Sequence, residues 1–389
     1  MKLLRNILDK IEPNFHKGGK LEKLFPLYDA IDTILYVPNE TASHGPYIRD
    51  HVDVKRSMIF VVIALIPCLL FGIYNAGLQT SINDGSVASS NFIDIFITGA
   101  FSVVPMYIVV FSVGGACEAL FAVTRNHEIN EGFLVTGMLI PLTMPPTVPL
   151  WMLGIATAFG IIIGKEIFGG TGFNVFNPAL TARAFIFFAY PTTMSGDKVW
   201  SIDGMSGATP LLKVSSEAGS SYLTFLGDYT WWNMFIGTIP GSIGETSTLC
   251  VILGALFLLI TGIGSWRTMS GVMIGMLLMS FLTNQFANLT DSSNPMLYIP
   301  PHYHFVMGSF AFGMVFMATD PVSSAHTQRG MWYYGILVGV MCVLIRAINP
   351  AYPEGMMLAI LFANAFAPLF DYYVLEANVK RRKARYAQK

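Results

Sequence analysis

The sequence predicts an all-α polytopic membrane protein with about ten transmembrane helices in two inverted five-helix repeats, some of the helices short or broken. Three observations predict it. Of 389 residues, 53% are hydrophobic and only 12% charged, and the mean hydropathy of +0.55 is more than a soluble core can hide. The basic residues of the short connections fall on alternate connections. A Gly-Met, Thr-x-Pro pattern recurs at matching places in the two halves of the chain.

Residues 1–56 hold Lys2, Arg5, Lys10, Lys17, Lys20, Lys23, Arg49, Lys55 and Arg56 and no apolar run long enough for a signal peptide or a span, which makes them a cytoplasmic extension. Within them Leu3, Leu4, Ile7, Leu8 and Ile11 recur at helical spacing between charges, as in a helix lying on a membrane surface or a partner. Residues 57–190 form the first repeat, with spans near 57–76, 95–123, 132–144, 150–167 and 177–190. A polar stretch, 191–246, follows. Residues 247–375 form the second repeat, with spans near 247–265, 268–286, 302–318, 331–348 and 355–375. The tail 376–389 carries Lys380-Arg381-Arg382-Lys383-Ala384-Arg385, an anchor that holds the C-terminus inside.

Loop charge sets the orientation. With the N-terminus inside, the cytoplasmic connections contain Arg125, Lys165, Arg267 and Arg329, whereas 77–94, 145–149 and 288–301 have neither Lys nor Arg. The 191–246 stretch then lies outside. Its Lys198 and Lys213 do not oppose this, because the charge rule weakens in long loops.

The repeat reads Gly137-Met138 with Thr143-x-Pro145 in one half and Gly313-Met314 with Thr319-x-Pro321 in the other. Asn177-Pro178-Ala179 and Asn349-Pro350-Ala351 come later in each. Five spans per unit give the halves opposite orientations, as in many transporters. The third and eighth spans are both short, about 20 Å of helix against a core of roughly 30 Å. Paired short helices point to a midplane site; tilted partners inside a bundle would look the same.

Several residues are candidates for chemistry. Ionisable side chains within apolar spans are costly, so Glu118 and Asp371 are candidates for an ion pathway. Glu118 could equally pair with an arginine such as Arg183 or Arg346, and Asp371 is near enough to the interface to be hydrated. Asp320 suits a cap or turn, and Lys165 and Glu166 read as interfacial. His302 and His304 make a poor metal pair and also read as interfacial, and Trp231-Trp232 reads as a membrane anchor. The segment 168–178, with Gly169, Gly170, Gly172, Asn174 and Asn177 among three phenylalanines, suits a flat ring, or serves as a plain re-entrant connection. Cys68, Cys117, Cys250 and Cys342 are too scattered for a metal or disulfide framework, and a net charge of −1 gives no reason to expect nucleic acid. No metal site is expected.

In the 191–246 stretch, Asp203-Gly204-Met205-Ser206-Gly207-Ala208-Thr209 presents a threonine hydroxyl among small residues. Alone this is also ordinary loop composition. With Phe15-His16-Lys17-Gly18-Gly19-Lys20, Val113-Gly114-Gly115-Ala116-Cys117-Glu118, Lys165-Glu166-Ile167-Phe168-Gly169-Gly170-Thr171-Gly172 and Asn349-Pro350-Ala351-Tyr352-Pro353-Glu354-Gly355, however, the chain resembles over nearly its whole length the B-subunit family of bacterial sodium-translocating NADH:quinone oxidoreductases. The D subunit of the Rnf complex is a relative with the same kind of flavin motif.

The resemblance implies covalent FMN joined through its phosphate to Thr209, with Asp203, Ser206, Gly207 and Ala208 completing the motif. It also implies a non-covalent riboflavin, placed near Asn174 and Asn177, and quinone, placed near Gly114, Gly115 and Glu118. Electron transfer to quinone would be coupled to Na+ export. The implied setting is a six-subunit complex of the bacterial inner membrane with both termini cytoplasmic. Its other members include a second covalent-FMN subunit, an FAD and iron–sulfur subunit that oxidises NADH, and small membrane subunits. A flavin transferase is implied as well. The alternatives are an Rnf-type electron-transport subunit, a small-solute channel or secondary transporter with inverted repeats, and a scaffold without cofactor; flavin on Thr209 separates the redox readings from the channel and the scaffold.

Overall fold

The computed structural model describes residues 2–15, 21, 25, 28, 32, 45, 54–83, 91–125, 132–194, 201–202, 205–206, 209–216, 229–349 and 354–387. Among these the fold is helical apart from one two-residue antiparallel ladder, Ser201–Ile202 against Met205–Ser206. Apart from a single α-helical turn at Pro191–Met194, the α-helices are α1 (Lys2–Ile11), α2 (Val54–Asn83), α3 (Phe92–Arg125), α4 (Gly132–Leu142), α5 (Leu150–Ile162), α6 (Pro178–Ala189), α7 (Pro210–Ser216), α8 (Trp231–Ile236), α9 (Thr248–Ile260), α10 (Trp266–Thr290), α11 (Pro301–Val306), α12 (Phe310–Phe312), α13 (Gln328–Ile348) and α14 (Met356–Ala387). Six segments among the described residues are long and apolar enough to cross a membrane: α2, α3, α5 with its 3-10 extension, α10, α13 and α14. Helices α4, α6 and α9 are apolar but shorter.

Local chemistry sets the starts. Asn177 caps α6, its side chain accepting from the Ala179 and Leu180 amides, with Pro178 at the first helical position. Ser247, Ser265 and Thr327 cap α9, α10 and α13 in the same way. The segment after Pro300-Pro301 is broken: α11 stops at Met307, Gly308 adopts a φ of +63°, and α12 runs on into a π-helical turn, Gly313–Met317. The carbonyls freed at this break are taken by a buried arginine. Arg346 donates to the His304 carbonyl at 3.0 Å and the Met307 carbonyl at 2.9 Å. At the C-terminal end of α4 a returning loop does the same work, Gly244 N–H donating to the Leu142 carbonyl at 2.7 Å and Ile243 N–H to that of Met144 at 3.1 Å.

In lipid, helices associate by close van der Waals fit rather than by the hydrophobic effect, which favours small residues at crossings. Helices α10 and α13 cross at Gly271, Gly275, Gly335 and Gly339; a Cβ on Gly275 would lie 2.3 Å from the Ile336 carbonyl oxygen. Helices α2 and α3 cross through Gly77 and Gly99 in the same manner. Helix α2 also packs on α9, and α6 touches α14. The buried core runs without interruption from Leu65, Met106 and Ile140 to Phe310, Phe312, Tyr334 and Ile360, so both halves share one interior.

Candidate functional site

Two hollows lie toward opposite ends of α2. Near its start, Ser57, Met58 and Val61 line a large cavity, whereas Asn75 near its end ties down the wall of a small crevice; the two positions are about 27 Å apart along the helix.

The crevice, about 20 Å³, is bounded by Thr209 and by Ser242, Glu245, Thr246, Ser309 and Glu354 among its lining residues. Thr209 is 6% exposed and directly precedes α7, its carbonyl accepting from the Lys213 amide. The crevice wall is fastened by charge. Arg183 of α6 donates to both oxygens of Glu245 at 2.7 Å and to Glu354 at 2.6 Å. Of the expected flavin motif, Asp203, Gly207 and Ala208 lie outside the described residues, and Ser206 is placed only by its backbone, in the short ladder. The polar stretch 191–246 is not all surface. Ile239, Ile243, Glu245 and Thr246 are buried, because backbone of this segment completes the end of α4.

The large cavity has a volume of about 470 Å³, within the usual range for small-molecule sites. Asn174 and Asn177 both line it. They are joined by Thr136 and Leu139 of α4 and by Phe316, Thr319 and Asp320 at the end of the broken segment, so the elements bearing the repeated Gly-Met, Thr-x-Pro motif reach it from both halves. Its polar edge comes from Lys165, Thr171 and the asparagines. Asn177 uses its carbonyl oxygen as the α6 cap, and Asn174 donates to the Phe176 carbonyl at 3.0 Å. Thr171 Oγ1 is buried without a hydrogen-bond partner among the described residues, an unsatisfied group that a polar ligand edge would complete. Asp320 accepts from Val322 N–H and Ser323 Oγ, the turn role expected of it.

The quinone candidates fall elsewhere. Gly114 is a packing position, where a Cβ would lie 2.4 Å from the Phe133 ring, whereas at Gly115 the nearest atom would be 3.9 Å away. Glu118 is buried and pairs with Lys165, not with Arg183 or Arg346. That corrects two expectations, because Lys165 and Glu166 are 3% and 2% exposed rather than interfacial. Glu166 is accompanied by Arg125, which donates to its carbonyl at 2.6 Å. His304 is likewise interior rather than interfacial, packed against Arg346 with its Nδ1 3.2 Å from the guanidinium. Asp371 organises the start of α13, accepting from the His326 and Thr327 amides at 2.7 and 2.9 Å and from the Thr327 hydroxyl at 2.6 Å. The structure therefore brings Asn174 and Asn177 together with Lys165 at one cavity and keeps Thr209 and Asp371 apart from it. Glu245 and Glu354 are not singled out by sequence; their signal is Arg183, a cation within an apolar span that needs carboxylates near it.

Comparison with known proteins agrees in scope. Residues 41–380 match the model of the NQR2, RnfD, RnfE family. The chain is 48% identical to the B subunit of the Na(+)-translocating NADH-quinone reductase of Klebsiella pneumoniae (strain 342), covering 98% of this chain and 99% of that one. It is 50% identical to the protein of that name from Chromohalobacter salexigens, over 98% of this chain and 96% of the other, and 49% identical to that of Pseudomonas aeruginosa (strain LESB58), over 98% and 99%.

Proposed function

Because the chain belongs to the NQR2, RnfD, RnfE family, we propose that it is the B-type membrane subunit of a sodium-translocating NADH:quinone reductase, carrying FMN on Thr209 and riboflavin in the large cavity. Full-length identity near one half to proteins of that name carries the reading. The chain then works in the bacterial inner membrane among partner subunits that oxidise NADH, with both termini cytoplasmic. Its two halves are inverted five-helix repeats. The packing of α2 on α9 and of α6 on α14, helices that correspond in the two repeats, supports this, as does the convergence of the paired motifs on one cavity.

The residues present fit the two flavins differently. At about 20 Å³ the crevice beside Thr209 has room for roughly a water, so FMN joined to Thr209 extends away from it, phosphate and ring system alike. The large cavity has room for a tricyclic ring and offers it Thr136, Thr171 and the asparagines at its edge, with Leu139 and Phe316 as apolar walls. When bound, the flavins supply electron transfer; the chain holds them in place and excludes water. Quinone is reduced beside Gly115 and Glu118, and Na+ crosses the membrane as cargo, with Glu118 and Asp371 as candidates along its route.

An Rnf-type subunit is the second reading, since the family model spans both groups. Expression with a flavin transferase, followed by a denaturing gel viewed under ultraviolet light, tests the central point. The parent chain fluoresces and Thr209→Ala does not. A dark parent, with the transferase active on a control, rejects the flavin reading and leaves a transporter without a redox group. Quinone-dependent NADH oxidation by the assembled complex then separates the two families.

A further inference from the structure

The Thr209 crevice is walled by stretches of chain remote in sequence, 209–211, 239–246, 306–309 and Glu354. Three of these walls are tied down by a polar side chain reaching out from a long or apolar helix. Asn75 of α2 donates to the Ile239 carbonyl at 3.0 Å. Arg346 of α13 holds the Met307 carbonyl at 2.9 Å and that of Glu354 at 3.0 Å. Arg183 of α6 differs from both because it joins two walls through their carboxylates. Nη1 takes both carboxylate oxygens of Glu245, and Nη2 takes Glu354 at 2.6 Å with Ser242 Oγ at 3.5 Å. The Arg183 and Glu245 side chains are each 5% exposed, so water is kept from that pair, whereas the Glu354 side chain is 18% exposed.

A guanidinium is a rigid planar fork and can fix the distance between two carboxylates; an ammonium is a point charge and cannot. From this we infer that Arg183 is a positioning residue for the modification of Thr209, setting the separation of the Glu245 and Glu354 walls so that the crevice presents the Thr209 hydroxyl in a reactive attitude. The inference rests on Thr209 being the flavin-bearing residue. The modification is a phosphoryl transfer from a flavin dinucleotide. Thr209 Oγ1 bonds to the flavin-side phosphorus, the pyrophosphate P–O bond breaks, the nucleoside monophosphate leaves and the hydroxyl proton passes to water. Arg183 takes no part in the bond changes and acts through the walls it joins. Misplacement of a reacting group by about 1 Å is enough to slow such a step on the order of a hundredfold.

The test follows flavin fluorescence per unit of full-length chain over time, in membranes supplied with the transferase and FAD. Chain level and thermal unfolding in detergent are measured on the same samples. Arg183→Lys keeps the charge and loses the fork, and is expected to slow modification about tenfold or more at unchanged chain level. Glu354→Gln leaves the Arg183–Glu245 pair whole and is expected to slow it by a smaller factor. An uncharged triad, Arg183→Met with Glu245→Gln and Glu354→Gln, removes the buried charges together and should be slow while still folded. Parent-like rates in Arg183→Lys or in a folded uncharged triad overturn the inference. So does a slower rate found only in variants whose chain level and melting temperature have also fallen, which makes Arg183 a structural tie only. A dark parent beside an active control rejects the flavin reading itself, an outcome distinct from a bright parent with equally bright variants.

Discussion

Lys165 and Glu118 form a buried ion pair between the residues just past α5 and the last third of α3, with side chains 4% and 5% exposed. Removing one partner of such a pair leaves a desolvated charge, at a cost of about 3–5 kcal/mol, whereas removing both together is near neutral. Lys165→Met is therefore expected to lower the melting temperature in detergent sharply, and Lys165→Met with Glu118→Gln to restore part of it, because buried Glu166, 3.7 Å from the ammonium, loses the same partner. A single variant as stable as the parent would mean that the pair is solvated in the membrane.

Gly115 has open space where a side chain would go, so Gly115→Leu should leave the fold and both flavins in place. If quinone docks there, turnover with quinone falls by roughly tenfold or more, the scale of a misplaced reactant, while NADH oxidation with an artificial acceptor at the NADH-oxidising subunit is unaffected. Parent-like quinone turnover would remove this position from the quinone site.

Asn177 has two duties that a single substitution can separate. Serine keeps an oxygen for the α6 cap but removes the amide N–H₂ available to a cavity ligand. Asn177→Ser is expected to lose riboflavin, measured by extraction and chromatography, with a melting temperature close to the parent's. Asn177→Ala should in addition lose about 1 kcal/mol of stability through the missing cap. Riboflavin content equal to the parent's in both variants would move the ligand elsewhere.

Asp371 accepts three hydrogen bonds at the start of α13. Charge-assisted bonds of this kind contribute roughly 1.5–3 kcal/mol each, so Asp371→Ala is expected to destabilise the chain clearly, and Asp371→Asn less. If the carboxylate also serves the ion route, Asp371→Asn raises the sodium concentration needed for half-maximal turnover. A change in melting temperature with no change in sodium dependence would make it a cap alone.

The membrane class, the paired motifs and the positions of most helices are legible in the sequence, because hydropathy and proline are local signals. The short α4, expected at 132–144, ends at Leu142, just ahead of Pro145. The break at Gly308 is hidden inside an apolar run that reads as one span, since nothing local shows that Arg346 is there to take the freed carbonyls. Charge partners are the least legible part. Glu118 invites an arginine, yet its partner is Lys165, 47 residues away, and no pattern along the chain encodes such a distance. The 191–246 stretch reads as polar by composition, but its last residues are buried in the protein because their amides close the end of α4.

The Arg183 contacts also bear on how the chain is made. Glu245 lies 62 residues and Glu354 171 residues beyond Arg183, so the arginine leaves the ribosome well before either partner has been synthesised. At synthesis rates of roughly 5–20 residues per second the second partner arrives about 10–30 s later. Until then a cation sits within the apolar helix α6 with its pair of carboxylates incomplete. The final seating of α6 is therefore expected to be a late event of biogenesis, completed once the segment just ahead of the last helix has been made.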